Sequence, residues 1–169
     1  LKEVFNMKRK YLLRATALFL IIMLLSACGS KTAQGQLFAN RVTEITQSNP
    51  ELADYSMDNL SDTGSGTYGA TASVAGETIG AISISFKNDQ FSEFIFSFSA
   101  DGPSRRKYEQ PIIASAMALD ASLDYSTADS IVDSIDDMIL FGDKSMEKNG
   151  YTYSGVWGQD NLVYVKIQK

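Results

Sequence analysis

Three segments in the middle of the chain alternate apolar and polar residues with a period of two. In the first, Tyr68, Ala70, Ala72 and Val74 are set against Thr67, Thr71 and Ser73. In the second, Ile82, Ile84 and Phe86 are set against Ser83 and Ser85, and in the third Phe94, Phe96 and Phe98 against Ser97 and Ser99. Side chains alternate across a strand, so this pattern predicts antiparallel strands with one buried face. Three-residue loops at Ala75-Gly76-Glu77 and Lys87-Asn88-Asp89 pair Ala70 with Ile82 and Ile82 with Phe94, which keeps every apolar set on one side. A last hairpin follows the same rule. A loop at Gln159-Asp160-Asn161 sets Tyr151, Tyr153 and Trp157 against Val163, Val165 and Ile167.

Elsewhere the period lengthens to that of a helix. Phe38, Val42 and Ile45 predict a helix over 34–47, stopped by Asn49-Pro50. The stretch 52–66 is polar and glycine-containing, with at most a short strand near 55–60. Residues 104–125 read as helical around the stripe Ile112, Ala116, Leu119 and Leu123, with Pro111 starting a helix or kinking one. Ser126-Thr127-Ala128-Asp129 has the form of a capping box. It opens a helix with the stripe Ala128, Ile131, Ile135, Met138 and Ile139, ended by Gly142. The expected fold is α+β: a two-layer domain with an antiparallel sheet and helices on one face, in the order α-βββ-αα-ββ.

The first residues follow a different logic. Lys8, Arg9, Lys10 and Arg14 precede an apolar run over 15–25, too short for the roughly 20 residues that span a bilayer. A basic start, a short apolar run and small residues before a cleavage point form a signal peptide. Leu25-Ser26-Ala27-Cys28 resembles the lipobox of bacterial lipoproteins. That resemblance covers only the leader. It implies a diacylglyceryl group on the Cys28 sulfur, cleavage before Cys28, and residence at the extracytoplasmic face of the cell membrane. Met7 is a plausible start, with Leu1 to Asn6 upstream of it. The expected organisation is a signal peptide over 1–27, a lipidated tether over 28–36 and one α+β domain over 37–169.

Composition agrees with export. Cys28 is the single cysteine. In an oxidising compartment a lone thiol is a liability that lipidation removes. Two acyl chains are what stable anchoring takes, at about 0.8 kcal/mol per buried CH₂. The leader carries +4 (five basic residues against Glu3) and the whole chain −5, which leaves −9 beyond the leader. An acidic domain of this kind is not expected to seek nucleic acid or anionic lipid. The basic leader and acidic domain fit a Gram-positive surface lipoprotein. There is no histidine, which removes the commonest general base and the usual triads.

Several surfaces offer candidate chemistry. Ser83, Ser85, Ser97 and Ser99, with Thr71, Ser73 and Ser154, define a flat hydroxyl face. It is either a docking platform for a protein or glycan, or a solvated sheet face. Arg105, Arg106 and Lys107 are the basic cluster of an acidic domain. They meet an acidic partner, or they form a solvated helix start, where cations are electrostatically unfavourable. Asp120, Asp124, Asp129, Asp133, Asp136, Asp137 and Asp143 crowd the helical pair without the spacing of a calcium loop. Tyr151, Tyr153 and Trp157 are an exposed recognition patch or, on the hairpin register, core. These features point to a non-catalytic binding or accessory module for a protein or envelope component, with no metal or cofactor beyond the lipid. Two other readings are a small-ligand binder with a cavity beneath the Phe94, Phe96 and Phe98 face, and a cell-envelope enzyme using Glu109, Asp120 or Asp124.

Overall fold

The computed structural model describes residues 30–142, 145–159 and 161–169. The leader, Cys28, Asp143 and Asp160 lie outside the described residues. The chain forms α1 (Ser30–Ser48), a 3₁₀ turn (Pro50–Leu52), β1 (Tyr55–Gly64), β2 (Thr67–Val74), β3 (Glu77–Lys87) and β4 (Gln90–Ser99). Then come α2 (Arg105–Leu119), α3 (Tyr125–Phe141), β5 (Met146–Lys148), β6 (Tyr151–Trp157) and β7 (Leu162–Gln168). All strands pair antiparallel in one seven-stranded sheet of order β1-β2-β3-β4-β7-β6-β5. The fold is α+β.

The observed order corrects the expected α-βββ-αα-ββ by two strands. β1 is ten residues long although most of it is polar and exposed. Its hydrogen bonds to β2, interrupted by irregularities after Asp58 and after Asp62, hold it where its own hydrophobic pattern is weak. β5 spans three residues, too short to show any period. In addition, α1 begins at Ser30, so residues 30–36, read as tether, are already helical.

The strand faces agree with the alternation, but the turns do not. Val74 pairs with Glu77 and Lys87 with Gln90, so both loops have two residues rather than three. Ala75 and Gly76, and Asn88 and Asp89, all have positive φ, as type I′ turns require. A two-residue loop alone would turn one strand over. A register shift after Ala72 and another after Ser85 correct this, each adding one residue and restoring parity. Ala70 therefore meets Ile82 as expected, whereas Ile82 meets Phe96 instead of Phe94. In the last hairpin Tyr153 faces Ile167 and Trp157 faces Val163, the expected register.

Phe94, Phe96, Ile84, Val165, Ile167 and Tyr153 are fully buried and share one core with the helix stripes. Phe38 of α1 lies 6.3 Å from Phe94, and Tyr108 of α2 stacks on Phe98 at 4.8 Å. α3 packs tightly on the sheet at Gly155, where an added methyl would sit 2.6 Å from Ile139 Cγ1 and 2.9 Å from the Ile135 carbonyl oxygen. A glycine is needed there for that approach. α2 is buried at every position from Gln110 to Ala116, and Pro111 lies within it without breaking it. Pro111 has no N–H to offer the Lys107 carbonyl four residues back.

α3 is capped two residues earlier than the sequence suggests. Asp124, not Ser126, is the N-cap, and its carboxylate accepts from the Thr127 N–H at 2.8 Å. A carboxylate there also meets the positive end of the helix dipole, an advantage a serine lacks. Gly142 closes the helix in the left-handed conformation, with its N–H donating to the Met138 carbonyl.

Candidate functional site

The hydroxyl face forms, but its groups are partly occupied by one another. Ser83, Ser85 and Ser97 are half-buried and Ser99 is exposed, whereas Ser73 is buried. Ser85 and Thr67 share a hydrogen bond at 3.1 Å across β2 and β3. Ser97 donates to the Ala81 carbonyl at 3.4 Å, and Thr71 to the Asp58 carbonyl at 3.2 Å. Ile95 and Tyr164 stand beside Ser83 and Ser97 in the same register rows, so the surface is less uniformly polar than a serine list suggests.

The basic cluster separates into three different environments. Arg105 turns inward to α3 and bonds Asp133 and Asp136, the latter at 3.3 Å, and also reaches Glu109 at 3.5 Å. Lys107 pairs with Glu77 of β3. Arg106 is exposed and makes no ion pair among the described residues. Two of the three cations therefore meet carboxylates of their own fold.

The aspartates also divide by role. Asp120 accepts from the Ser122 N–H and hydroxyl and from the Asn149 amide, clamping the α2–α3 connection to the β5–β6 turn. These hydrogen bonds outweigh partial burial and hold its carboxyl below the usual range. Asp124, engaged by Thr127 at the cap, is likewise lowered. Among the described residues no group of three or more acidic side chains is arranged to hold a metal ion, and no helix is long and apolar enough to cross a membrane.

A cleft of about 360 Å³ opens where the N-terminus of α2, the C-terminus of α3 and the ends of β4, β6 and β7 meet. Phe98, Val163, Ile139 and Pro103 line its apolar part, and Arg105, Tyr108 and Asp136 its polar end. Leu140 and Trp157 stand at its rim, 70% and 54% exposed. Trp157 is on the buried side of β6 by register, yet lies two residues beyond Gly155, where α3 touches the sheet, and is left half in solvent. Tyr153, earlier on the same strand, is fully buried, and Tyr151 is partly so.

The polar end of the cleft is electrostatically strained. Tyr108 donates to Asp136 at 3.0 Å while its ring packs on Phe98. Burial pushes the Asp136 carboxyl above the usual range, against the opposing effects of Tyr108 and Arg105, and Asp133 and Asp137 add to the rise. Glu109 is raised too, by burial first and then by Asp129. Desolvation and like charges both disfavour an ionised carboxylate.

Phe94 and Phe96 are fully buried and do not line this cleft, which opens at the Phe98 end of the row. A smaller cleft of about 230 Å³ adjoins α1 at Phe38, Arg41 and Phe91. It has no convergent set of charged groups comparable to Arg105, Asp136 and Tyr108. Comparison with protein-family models, with curated proteins and with solved structures finds no match for this chain.

Proposed function

We propose that this chain is an exported lipoprotein, held at the extracytoplasmic face of a membrane by a diacylglyceryl group on Cys28, and that its domain is a non-catalytic binding module for a protein or envelope component. The leader motif supports the anchor. Phe94, Phe98 and Gly155 lie on the buried side of the sheet and each meets a different helix. This supports a two-layer arrangement that leaves the Ser83 and Ser97 side open.

One observation carries the binding reading: the exposed Trp157 and Leu140 rim a cleft whose polar end holds Arg105, Asp136 and Tyr108. Specific sites are concave and mostly apolar, with a few convergent polar groups. Exposed tryptophan is enriched among residues that dominate binding energy. The acidic groups named from sequence make contacts within the fold: Asp120 with Asn149, Asp124 with the Thr127 N–H and Glu109 with Arg105. Tethering raises the effective concentration of the module at the surface, so that weak contacts suffice.

Crosslinking in intact membranes tests both halves of this reading. The full chain is compared with Trp157→Ala, with Ser83→Ala/Ser97→Ala and with Cys28→Ala. The expected result is a partner band lost with Trp157→Ala, kept with the serine pair and lost from the membrane fraction with Cys28→Ala. An unchanged band with Trp157→Ala sinks the cleft, and an unmodified Cys28 thiol in the mass spectrum of the native protein sinks the anchor.

A further inference from the structure

We infer that the cleft at Trp157 takes a small amphiphilic cation, a protonated amine on an apolar body; this rests on reading the cleft as the binding site. At about 360 Å³ the cleft is near the lower end of small-molecule sites. Most of its wall is hydrocarbon and aromatic ring: Phe98, Ile139, Leu140, Trp157 and Val163. That wall calls for an apolar body, and the polar end decides the head group.

The wall itself holds one cation and one carboxylate, Arg105 and Asp136, but the charges gathered around Arg105 do not balance. Arg105 is the one cation among the described lining residues, and Asp133, Asp136 and Glu109 all lie within ion-pair distance of it. The four groups together carry −2 when ionised. An anionic head group would gain Arg105 only by competing with three carboxylates already in place. An ammonium would meet a region of net negative charge, with Asp136 on the wall to accept its hydrogen bond and Asp133 and Glu109 behind Arg105 rather than on the wall. The Asp136 side chain is 14% exposed, so a bound cation would be screened less than at an open surface. An indole attracts cations to its face, and Trp157 stands at the rim. The raised carboxyls of Asp136 and Glu109 are in accord, since a nearby positive charge would relieve both.

Trp157 is the single tryptophan of the chain, so its emission reports on this cleft alone. Purified full-length protein is titrated with n-octylammonium chloride, n-octanol and sodium octanoate, each below its micellar range, and with zwitterionic phosphatidylcholine vesicles. Octylammonium is expected to shift Trp157 emission saturably and to bind about ten-fold more tightly than octanol, the size of one partly buried charged hydrogen bond. Octanoate is expected to be the weakest of the three. Asp136→Asn should remove the preference for ammonium over octanol. Asp133→Asn, at an exposed position, should reduce the preference and serves if Asp136→Asn does not fold.

Octanoate binding as tightly as octylammonium overturns the inference, as does a preference for ammonium that survives both variants. A response to vesicles without one to octylammonium also overturns it and reassigns the cleft to a lipid surface. Equal binding of all three amphiphiles removes the ligand class but leaves the cleft as a binding site. Silence in every arm, with crosslinking insensitive to Trp157→Ala, removes the binding site itself.

Discussion

Asp136 shows how a single side chain joins folding to the cleft. It accepts from Tyr108, faces Arg105 and is mostly buried among other carboxylates, so its folded-state pKa lies above that of the unfolded chain. A carboxyl raised in this way binds protons more readily in the folded state. Its contribution to stability is therefore greatest at low pH and is lost as pH rises from about 3.9, the unfolded value, through the higher folded value. Asp120 and Asp124 have the opposite sign: their contributions are present above about 3.9 and are lost as pH falls through their lowered folded values. Urea unfolding across pH 3 to 7 should show wild-type stability declining as pH rises above about 3.9, and Asp136→Asn should flatten that decline. A decline of the same slope in the variant would assign it to another group. None of this was legible in a run of seven aspartates, because sequence spacing does not tell a cap from a clamp or a buried acceptor.

At the scale of elements, parity was legible and length was not. Alternation fixes which face of a strand is buried, and that survives any register change of two residues. The two expected three-residue loops are two-residue turns, at Ala75-Gly76 and Asn88-Asp89, that use positive φ at both positions, as do the connections at Ser65-Gly66 and Asn149-Gly150. Nothing in a pair such as Ala75-Gly76 announces the bulge that must accompany it. The α3 cap was displaced for a related reason: Asp124-Tyr125-Ser126-Thr127 and Ser126-Thr127-Ala128-Asp129 both offer a capping side chain, and the carboxylate does the capping. Asp124→Ala should lower the midpoint of thermal or urea unfolding, because the Thr127 N–H loses its cap. Ser126→Ala should change it far less. The reverse ranking would return the helix start to Ser126.

For the whole molecule, stability rests on one hydrophobic core centred on β4. Phe96 is fully buried, pairs with Ile82 and Val165 and stacks on Phe98 at 5.1 Å. Phe96→Ala should cost about 3–5 kcal/mol, measured by urea unfolding at neutral pH. A cost under about 1 kcal/mol would mean that the core closes over the gap. The cleft was invisible to sequence reading at this scale. It gathers Phe98, Arg105, Asp136, Leu140 and Trp157, which are spread over 60 positions and four elements. The usable signal was a mismatch: Leu140 and Phe141 are apolar but fall off the stripe Ile131, Ile135, Met138, and so had no place in the core.

The two margins of the sheet have a consequence for how these molecules coexist. One outer strand is kinked twice and turns through Asn59 at positive φ, and the other is three residues long. Neither offers a long straight row of free amides and carbonyls on which a neighbouring chain could zip. Even at very high local density, copies of this domain should stay individual rather than grow into ribbons.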